Sequence, residues 1–580
     1  MFQTPAPDLG APRRLILTGL IVCLTVWVLL ALLYGPHLGS SLGDTDDAMR
    51  LALVRDLLHG RGWYDQSVQR LQPPVGSYMH WSRLIDGGLA GLTLLLSPVL
   101  GAGAETGARL IWPMLWIVPA VGSSLVLARR LGGGRAVFPA AVMLAVGLPL
   151  YAQFAPGRVD HHNAQIALCL MAAAAVVEDG MISAVIAGVA MAAGLAVGLE
   201  ALLFCALVGF ALALRFVMGD ERRRTVAFGL SLAASASLVF LMQTPPQRWG
   251  LAVCDAMGAN LVLGLVVAGL GLAAAAPVGR WGPKFRALAV AGVGGVALAA
   301  YLCLDPSCWR GPMAEIDPRL YPIWLGHVTE LMNWPQLFRS HPDRVAVDAF
   351  TGILGLGALA IGLKRRADFG WVFVGALFLL ALALAATAAR MESYLLWLAV
   401  PLLAAALTEA AATKLNGALV PTLALALVVS AMPVDVLADA AFARQSTAQA
   451  KVNLADHCYD SVAYDRLASL PKGLALSEID LGPYILARSP NAILNAPYHR
   501  MSWGILAAQA ALTARPLDAR ARLQALHVDY VVACPAHAGL YTHLTAPPGS
   551  LLRALDRGED PTWLKPLSTQ GEPLRLYRVM

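Results

Sequence analysis

The chain has 580 residues, of which 58% are apolar and only 14% charged, and its mean hydropathy is +0.62. A soluble protein of this length carries roughly 25% charged residues, so the composition excludes a soluble globule and puts most of the chain in lipid. The net charge of +6 fits basic loops beside membrane spans and gives no argument for nucleic acid.

The first element is a span. Arg13 and Arg14 precede an apolar run of about 20 residues, long enough to cross a bilayer and too long for a cleaved signal peptide. Next comes "GDTDDAMRLALVRDLLHGRGWYD" (43–65), with Asp44, Asp46 and Asp47 in close succession. Asp44 or Thr45 can cap a helix starting near Asp46, and acids suit a first turn. Leu51, Val54 and Leu58 share one face, which predicts a helix lying along the membrane with Arg50 and Arg55 on the wet side. Capping accounts for one or two of the acids. A third crowds like charge, and the alternative to capping alone is a divalent cation with oxygen ligands.

A run near 87–101, broken at Ser97-Pro98, reads as interfacial or re-entrant. Apolar runs then follow at 107–128, 136–152, 164–177, 181–198, 199–217, 225–242, 259–277, 287–304, 346–363, 370–388, 393–412 and 417–433, which with the first span makes thirteen crossings. Alternate loops carry the basic residues: Arg129, Arg130 and Arg135; Arg222 to Arg224; Arg280, Lys284 and Arg286; Lys364 to Arg366; Lys414. Such loops face the cytoplasm, so the N-terminus is inside and the tail outside. The exception is the turn at Glu178-Asp179. A transmembrane domain (1–433) therefore carries outer loops at 35–86, 153–163 and 305–345, and a periplasmic α/β domain follows (434–580). Scarce lysine with abundant arginine and alanine suits a GC-rich bacterial genome, and hence a bacterial inner membrane.

The outer loops hold the chemistry. "PGRVDHHN" brings Arg158, Asp160, His161 and His162 just before a span, a pattern suited to ligands or the groups that orient them. "WLGHVTELMNWP" offers His327 and Glu330. "AARMESYLLWLAVPLL" sets Arg390 at an outer helix end, either snorkelling or placed to hold phosphate oxygens. Glu200, in "VGLEALLF", is a further polar group near that surface without an assigned role. In the tail, "GLALSEIDLGPYILA", "NAILNAPYHR" and "VDYVVACPAH" read as short strands around helical "SWGILAAQAALTARPLDARARLQAL". Cys458 and Cys534 can pair there, as can Cys303 with Cys308, or Cys254 with either; Cys23, Cys169 and Cys205 lie within spans as packing residues.

In order and sidedness these segments, with "YDQSVQRLQPPVGSYMHWSRLIDGGLAGL" (64–92) between the first two, resemble the catalytic subunit of single-subunit oligosaccharyltransferases, members of the GT-C glycosyltransferase superfamily. The resemblance covers roughly residues 14–412. Asp46, with Arg55 nine residues on, matches the family's first acidic helix motif. Asp160 and His162 match its second acidic motif, and "HVTE" its late-loop Ser/Thr-x-x-Glu, with His327 in place of the hydroxyl residue. Arg390, Tyr394 and Pro401 match its lipid-phosphate motif. The resemblance implies a polytopic α-helical membrane protein of about thirteen helices. It also implies a divalent metal, Mg²⁺ or Mn²⁺, on Asp46, Asp160, His162 and Glu330. Asp46 or Asp47 would take the acceptor's proton, with Glu330 in the catalytic set, and Arg390 and Tyr394 would hold the carrier. Asp44, Arg158 and His161 are secondary candidates.

The implied function is metal-assisted, inverting transfer of a sugar or oligosaccharide from a polyprenyl phosphate or diphosphate to a glycolipid, protein or surface polysaccharide. The family's acceptor-reading WWDYG motif is absent: the tail's tryptophans are Trp503 and Trp563. Residues His499 and Arg500, in "APYHRMSWG", are the candidates there for acceptor choice. A lipid or sugar flippase and an inactive GT-C scaffold are the alternatives. A transporter places ionisable groups near the bilayer midplane, whereas these acids cluster in loops.

Overall fold

A computed structural model describes residues 11–219, 221–411, 456–534, 545–569 and 571–580. The apolar runs are helices: α1 (Ala11–Tyr34), α4 (Ala104–Gly132), α5 (Val137–Val146), α6 (His162–Val177), α7 (Met181–Val197), α8 (Leu202–Gly219), α9 (Arg222–Gln243), α10 (Ala259–Ala275), α11 (Pro283–Leu304), α13 (Pro342–Arg365), α14 (Phe369–Thr387) and α15 (Glu392–Ala411). Among the described residues nine helical segments are long and apolar enough to cross a membrane, and a tenth is the bent pair Gly134–Val146 and Leu148–Phe154. With the shorter α6 and α7 they account for twelve of the thirteen expected runs; the run at 417–433 lies outside the described residues. The chain is a polytopic helical membrane protein.

Two shorter helices precede α4, α2 (Thr45–Leu58) and α3 (Arg83–Leu100), and a short α12 (Trp334–Ser340) precedes α13. Gly88 faces the Trp112 ring and Gly107 faces Leu96 and Leu100, so α3 folds back antiparallel on α4. Asp86 near its start pairs with Arg50 of α2 at 2.7 Å, and Glu105 just past its end pairs with Arg55 of α2, also at 2.7 Å. Both ends of this hairpin arm are thus tied to α2. The expectation that Arg50 faces water is wrong. Arg50 is fully buried, with its guanidinium 4.5 Å from the centroid of the Trp81 ring. The pattern on α2 marks one apolar face, but Trp81, Ser82 and Asp86 cover the other at Arg50.

At the far ends of α4 and α6 the exception in the charge pattern resolves. Glu178 pairs with Arg129 at 2.9 Å, and Asp179 with Arg130 at 3.2 Å and Arg215 at 2.6 Å. The acidic turn is neutralised by arginines of neighbouring segments.

Beyond a short antiparallel pair, β1 (Ser67–Val68) and β2 (Ser77–Tyr78), the tail carries a five-stranded sheet in the order β4-β3-β5-β7-β6, made of β3 (Leu474–Ser477), β4 (Ala492–Ile493), β5 (Tyr530–Ala533), β6 (Leu564–Pro566) and β7 (Arg575–Val579). β3 is parallel to β4 and β5, and β7 runs antiparallel between β5 and β6. The expected long helix is broken into Ser502–Leu512 and Pro516–Ala525, because Pro516 cannot donate to a continuing helix. The free edge of β4 does not face solvent: Ile493 N donates to Arg70 O and Gln72 N to Ile493 O, each at 2.8 Å. Tyr484 Oη donates to Gly43 O at 2.8 Å. The tail is thereby docked on α2 and shares one apolar core with the membrane helices. Cys458 is bonded to Cys534 and Cys254 to Cys308, which leaves Cys303 free and exposed.

Candidate functional site

The N-terminus of α2 sorts its three acids. Asp44 Oδ1 accepts from the backbone N of Asp46 and of Asp47 at 3.0 Å, and Asp47 Oδ2 accepts from Asp44 N at 3.1 Å. This reciprocal cap satisfies donors that a helix start leaves orphaned. Gly43, at φ +84°, has no room for a Cβ against the Asp47 carboxylate, which fixes glycine there. Asp47 also accepts from Arg158 Nη1 at 2.9 Å, Val159 N at 2.7 Å and Asp160 N at 3.0 Å. It is wholly buried with both oxygens engaged, and it does not border the cavity described next. Asp47, expected as a proton acceptor, instead spends both oxygens tying α2 to the 158–160 segment away from the cavity. Asp46 is the surplus acid.

A cavity of about 1120 Å³ opens beside it, lined among others by Asp44, Asp46, His161, His162, Glu330 and Arg390. Asp46 has no hydrogen-bond donor among the described residues. Burial, with Asp160, Asp44 and Glu330 nearby, holds its carboxyl well above the usual carboxylate range. Behind it Asp160, itself buried, bonds Nδ1 of both His161 and His162 through its two oxygens. Burial alone would raise the Asp160 carboxyl; the two imidazoles outweigh it and hold the group well below the usual range. With Nδ1 so engaged, His162 turns Nε2 toward Glu200 Oε2 at 3.4 Å. Both atoms are buried without a hydrogen-bond partner.

Glu200 also bonds Arg390, whose Nη2 lies 3.9 Å from Glu330 Oε2. Glu200 thus links the histidine pair to the arginine, a role its place between two apolar helices hints at and does not establish. Asp44 and Arg158 form an ion pair at the cavity edge. Tyr394 is misplaced by the motif reading. Its ring stacks on Phe204 at 4.7 Å, its hydroxyl is buried without a partner, and it does not border the cavity. Tyr394→Phe is expected to leave turnover within about twofold and stability unchanged or higher, since a buried unpaired hydroxyl costs about 1–3 kcal/mol. A melting curve and an initial rate check both.

The tail contributes the far wall. Tyr498 Oη donates to Thr45 O at 3.2 Å, next to Asp46. His499 Nε2 lies 2.7 Å from Asp255 Oδ2, and Arg500 grips the same carboxylate through Nε at 2.8 Å and Nη2 at 2.6 Å. Those contacts hold the Asp255 carboxyl far below its usual range against the push of burial. Sequence reading singled out His499 and Arg500 but missed Asp255, Arg248 and His80; Asp255 directly follows the bridged Cys254, its one local signal.

The donor set fits a divalent cation. Two orphaned buried atoms, His162 Nε2 and Glu200 Oε2, face each other beside the unpaired Asp46 carboxylate and Glu330, a mix of oxygen and imidazole suited to Mg²⁺, Mn²⁺ or Zn²⁺.

No family model and no curated protein matches the chain. Solved structures do. The apo form of the Archaeoglobus fulgidus oligosaccharyltransferase superposes with a TM-score of 0.71 at 17% identity, covering 97% of this chain and 74% of that one. The same archaeal enzyme, AglB, with an inhibitory peptide and a dolichol-phosphate gives 0.66 at 16% identity over 94% and 72%. Its complex with zinc and sulfate gives 0.63 at 17% over 93% and 70%. At such identity the likeness is one of fold: the chain shares the fold of the archaeal oligosaccharyltransferase.

Proposed function

We propose that this protein is an integral-membrane glycosyltransferase that moves a sugar or oligosaccharide from a polyprenyl phosphate or diphosphate to an acceptor, with inversion at the anomeric carbon. The observation that carries the reading is the convergence of four distant chain segments, bearing Asp46, His162, Glu330 and Arg390, on one cavity. The neighbouring fold supports it, since the AglB structures hold a dolichol-phosphate, or zinc and sulfate.

Asp46, Asp160, His162 and Glu330, with Glu200 beside them, would hold the divalent cation. When bound, it supplies positive charge opposite the phosphate that leaves. Arg390 serves the same oxygens from the other side, where a guanidinium stabilises charge that grows as the sugar–phosphate bond breaks. The acceptor's nucleophile bonds the anomeric carbon on the opposite face. Its proton passes to Asp46, whose raised affinity for protons suits a base working near neutral pH. The bonding pair leaves with the phosphate.

The site faces away from the arginine-rich loops, which would be cytoplasmic. Both disulfides lie on the site's side, as a periplasmic tail (434–580) in a bacterial inner membrane would have. The acceptor, whether glycolipid, protein or surface polysaccharide, would enter between the tail and α2.

Mass spectrometry of envelope glycans from a deletion strain, complemented with wild type or Asp46→Ala, tests the assignment; identical glycans in all three strains would refute it. Chelation is expected to stop transfer by the purified protein, and added Mg²⁺ or Mn²⁺ to restore it. Ligands must shed protons to bind a cation. Because the Asp46 carboxyl is raised, metal-supported activity should fall on acidification at a pH above the ordinary carboxylate range. Full activity in excess chelator would exclude the metal.

A further inference from the structure

The cavity is electrically divided. Its α2 end is acidic: Asp44, Asp46, Glu200 and Glu330 outnumber Arg109, Arg158 and Arg390 there. The wall formed by the tail and the 245–258 loop is basic. Arg500 and His499 already share Asp255. Arg248 lies with its guanidinium 4.0 Å from the centroid of the Tyr78 ring and, among the described residues, makes no ion pair or hydrogen bond through it. Stacking of that kind fixes a guanidinium while leaving its N–H fork free. Behind this wall, Arg50 and Arg83 are buried and share the single carboxylate of Asp86, at 2.7 and 2.9 Å. They leave a positive charge under Trp81, whose ring lines the cavity. His80 completes the wall, with its ring 4.7 Å from that of His499 and its Nδ1 buried and unbonded.

His80, Asp255 and His499 are close enough to hold a metal. The Arg500 fork already neutralises Asp255, and a cation there would sit against two guanidiniums. The charge balance favours an anion.

Resting on the glycosyltransferase reading, we propose that the Arg248–Arg500–His80 wall is an acceptor subsite that binds an anionic group, a phosphate or a carboxylate, carried by the acceptor. Arg248 supplies the free fork and His80 Nδ1 completes the cradle, while Arg500, held by Asp255 and by Tyr78 O at 3.1 Å, adds its positive charge. Tyr498 joins this wall to Thr45 beside Asp46. An acceptor anchored by its anion thus places a neighbouring hydroxyl or amine at the reacting end, while the donor's phosphate stays with Arg390. The subsite gives the tail a means of choosing an acceptor without the WWDYG motif.

The test is binding of radiolabelled dioleoyl phosphatidate to the purified full chain in detergent. Dioleoyl phosphatidylcholine is the uncharged-net control, and inorganic phosphate and glucuronate are competitors. Phosphatidate should bind and phosphatidylcholine should not. Arg248→Gln should weaken phosphatidate about tenfold, as expected for loss of one charged hydrogen-bonding partner, and Arg248→Lys should restore part of it. Undecaprenyl phosphate binding should not change in Arg248→Gln. Displacement by phosphate alone assigns a phosphate-bearing acceptor, and displacement by glucuronate assigns a carboxylate-bearing one. Displacement by neither, equal phosphatidate binding by Arg248→Gln and wild type, or a matching loss of undecaprenyl phosphate in Arg248→Gln overturns the proposal. Binding needs no turnover, so an Arg248-dependent anion site in a protein that transfers no sugar would fault the functional reading and leave this one standing.

Discussion

Asp46→Ala is expected to lower glycosyl transfer by about 10³-fold or more while the protein still inserts, purifies as a single species and melts as the wild type does. The activity loss follows from its position. Asp46 borders the cavity, lacks a hydrogen-bond donor, and stands near Asp160, His162 and Glu330. It is the one α2 acid left free to bind a cation or take a proton. Preservation of the fold follows from the same facts: nothing leans on this side chain, and removing it relieves repulsion among neighbouring carboxylates. Turnover in proteoliposomes with a polyprenyl-phosphate-linked donor, run beside a melting curve, reads both halves. Activity near wild type would defeat the assignment of the site.

Asp47→Ala, one residue on, should behave oppositely. Its carboxylate receives backbone N–H groups from Asp44, Val159 and Asp160 together with Arg158. Truncation leaves Arg158 in a mostly buried place with Asp44 as its one carboxylate at close range, beside Gln153 Oε1 at 2.9 Å, since Asp160 stands 4.0 Å off. Removing one partner of a buried pair costs about 3–5 kcal/mol, and loss of the cap adds about 1 kcal/mol. The expected result is a markedly lower melting temperature and a reduced yield of monodisperse protein, with activity lost as a consequence. Asp47→Asn, which keeps some acceptor capacity, should fall between. A stable, inactive Asp47→Ala protein would instead return Asp47 to the reacting groups.

The contrast between these neighbours shows where sequence reading stops. Three acids in "GDTDD" announce a crowded helix start, and capping rules say that one or two of them serve the backbone. They do not say which. The choice is made by the 158–160 segment, more than a hundred residues away, whose backbone N–H groups arrive on Asp47. Of the motif around Arg390, the arginine borders the cavity while Tyr394 packs on Phe204 away from it. Glu200 had no motif at all, and it acquires a part only because α6, α8 and α15 meet at one end.

Composition and periodicity by themselves determined the helical membrane architecture, the extent of twelve of its apolar runs, the α/β character of the tail, and the chain segments from which the site is drawn. These are properties of local sequence, because lipid demands an unbroken apolar run and strands and caps need particular residues in particular places. Tertiary structure alone decided that the tail docks on α2, that Trp81 and Asp86 bury Arg50, which cysteines pair, which acids are free, and that Asp255 and Arg248 belong to the same cavity as Asp46. Those outcomes depend on contacts between segments tens to hundreds of residues apart, and no short window along the chain contains both partners.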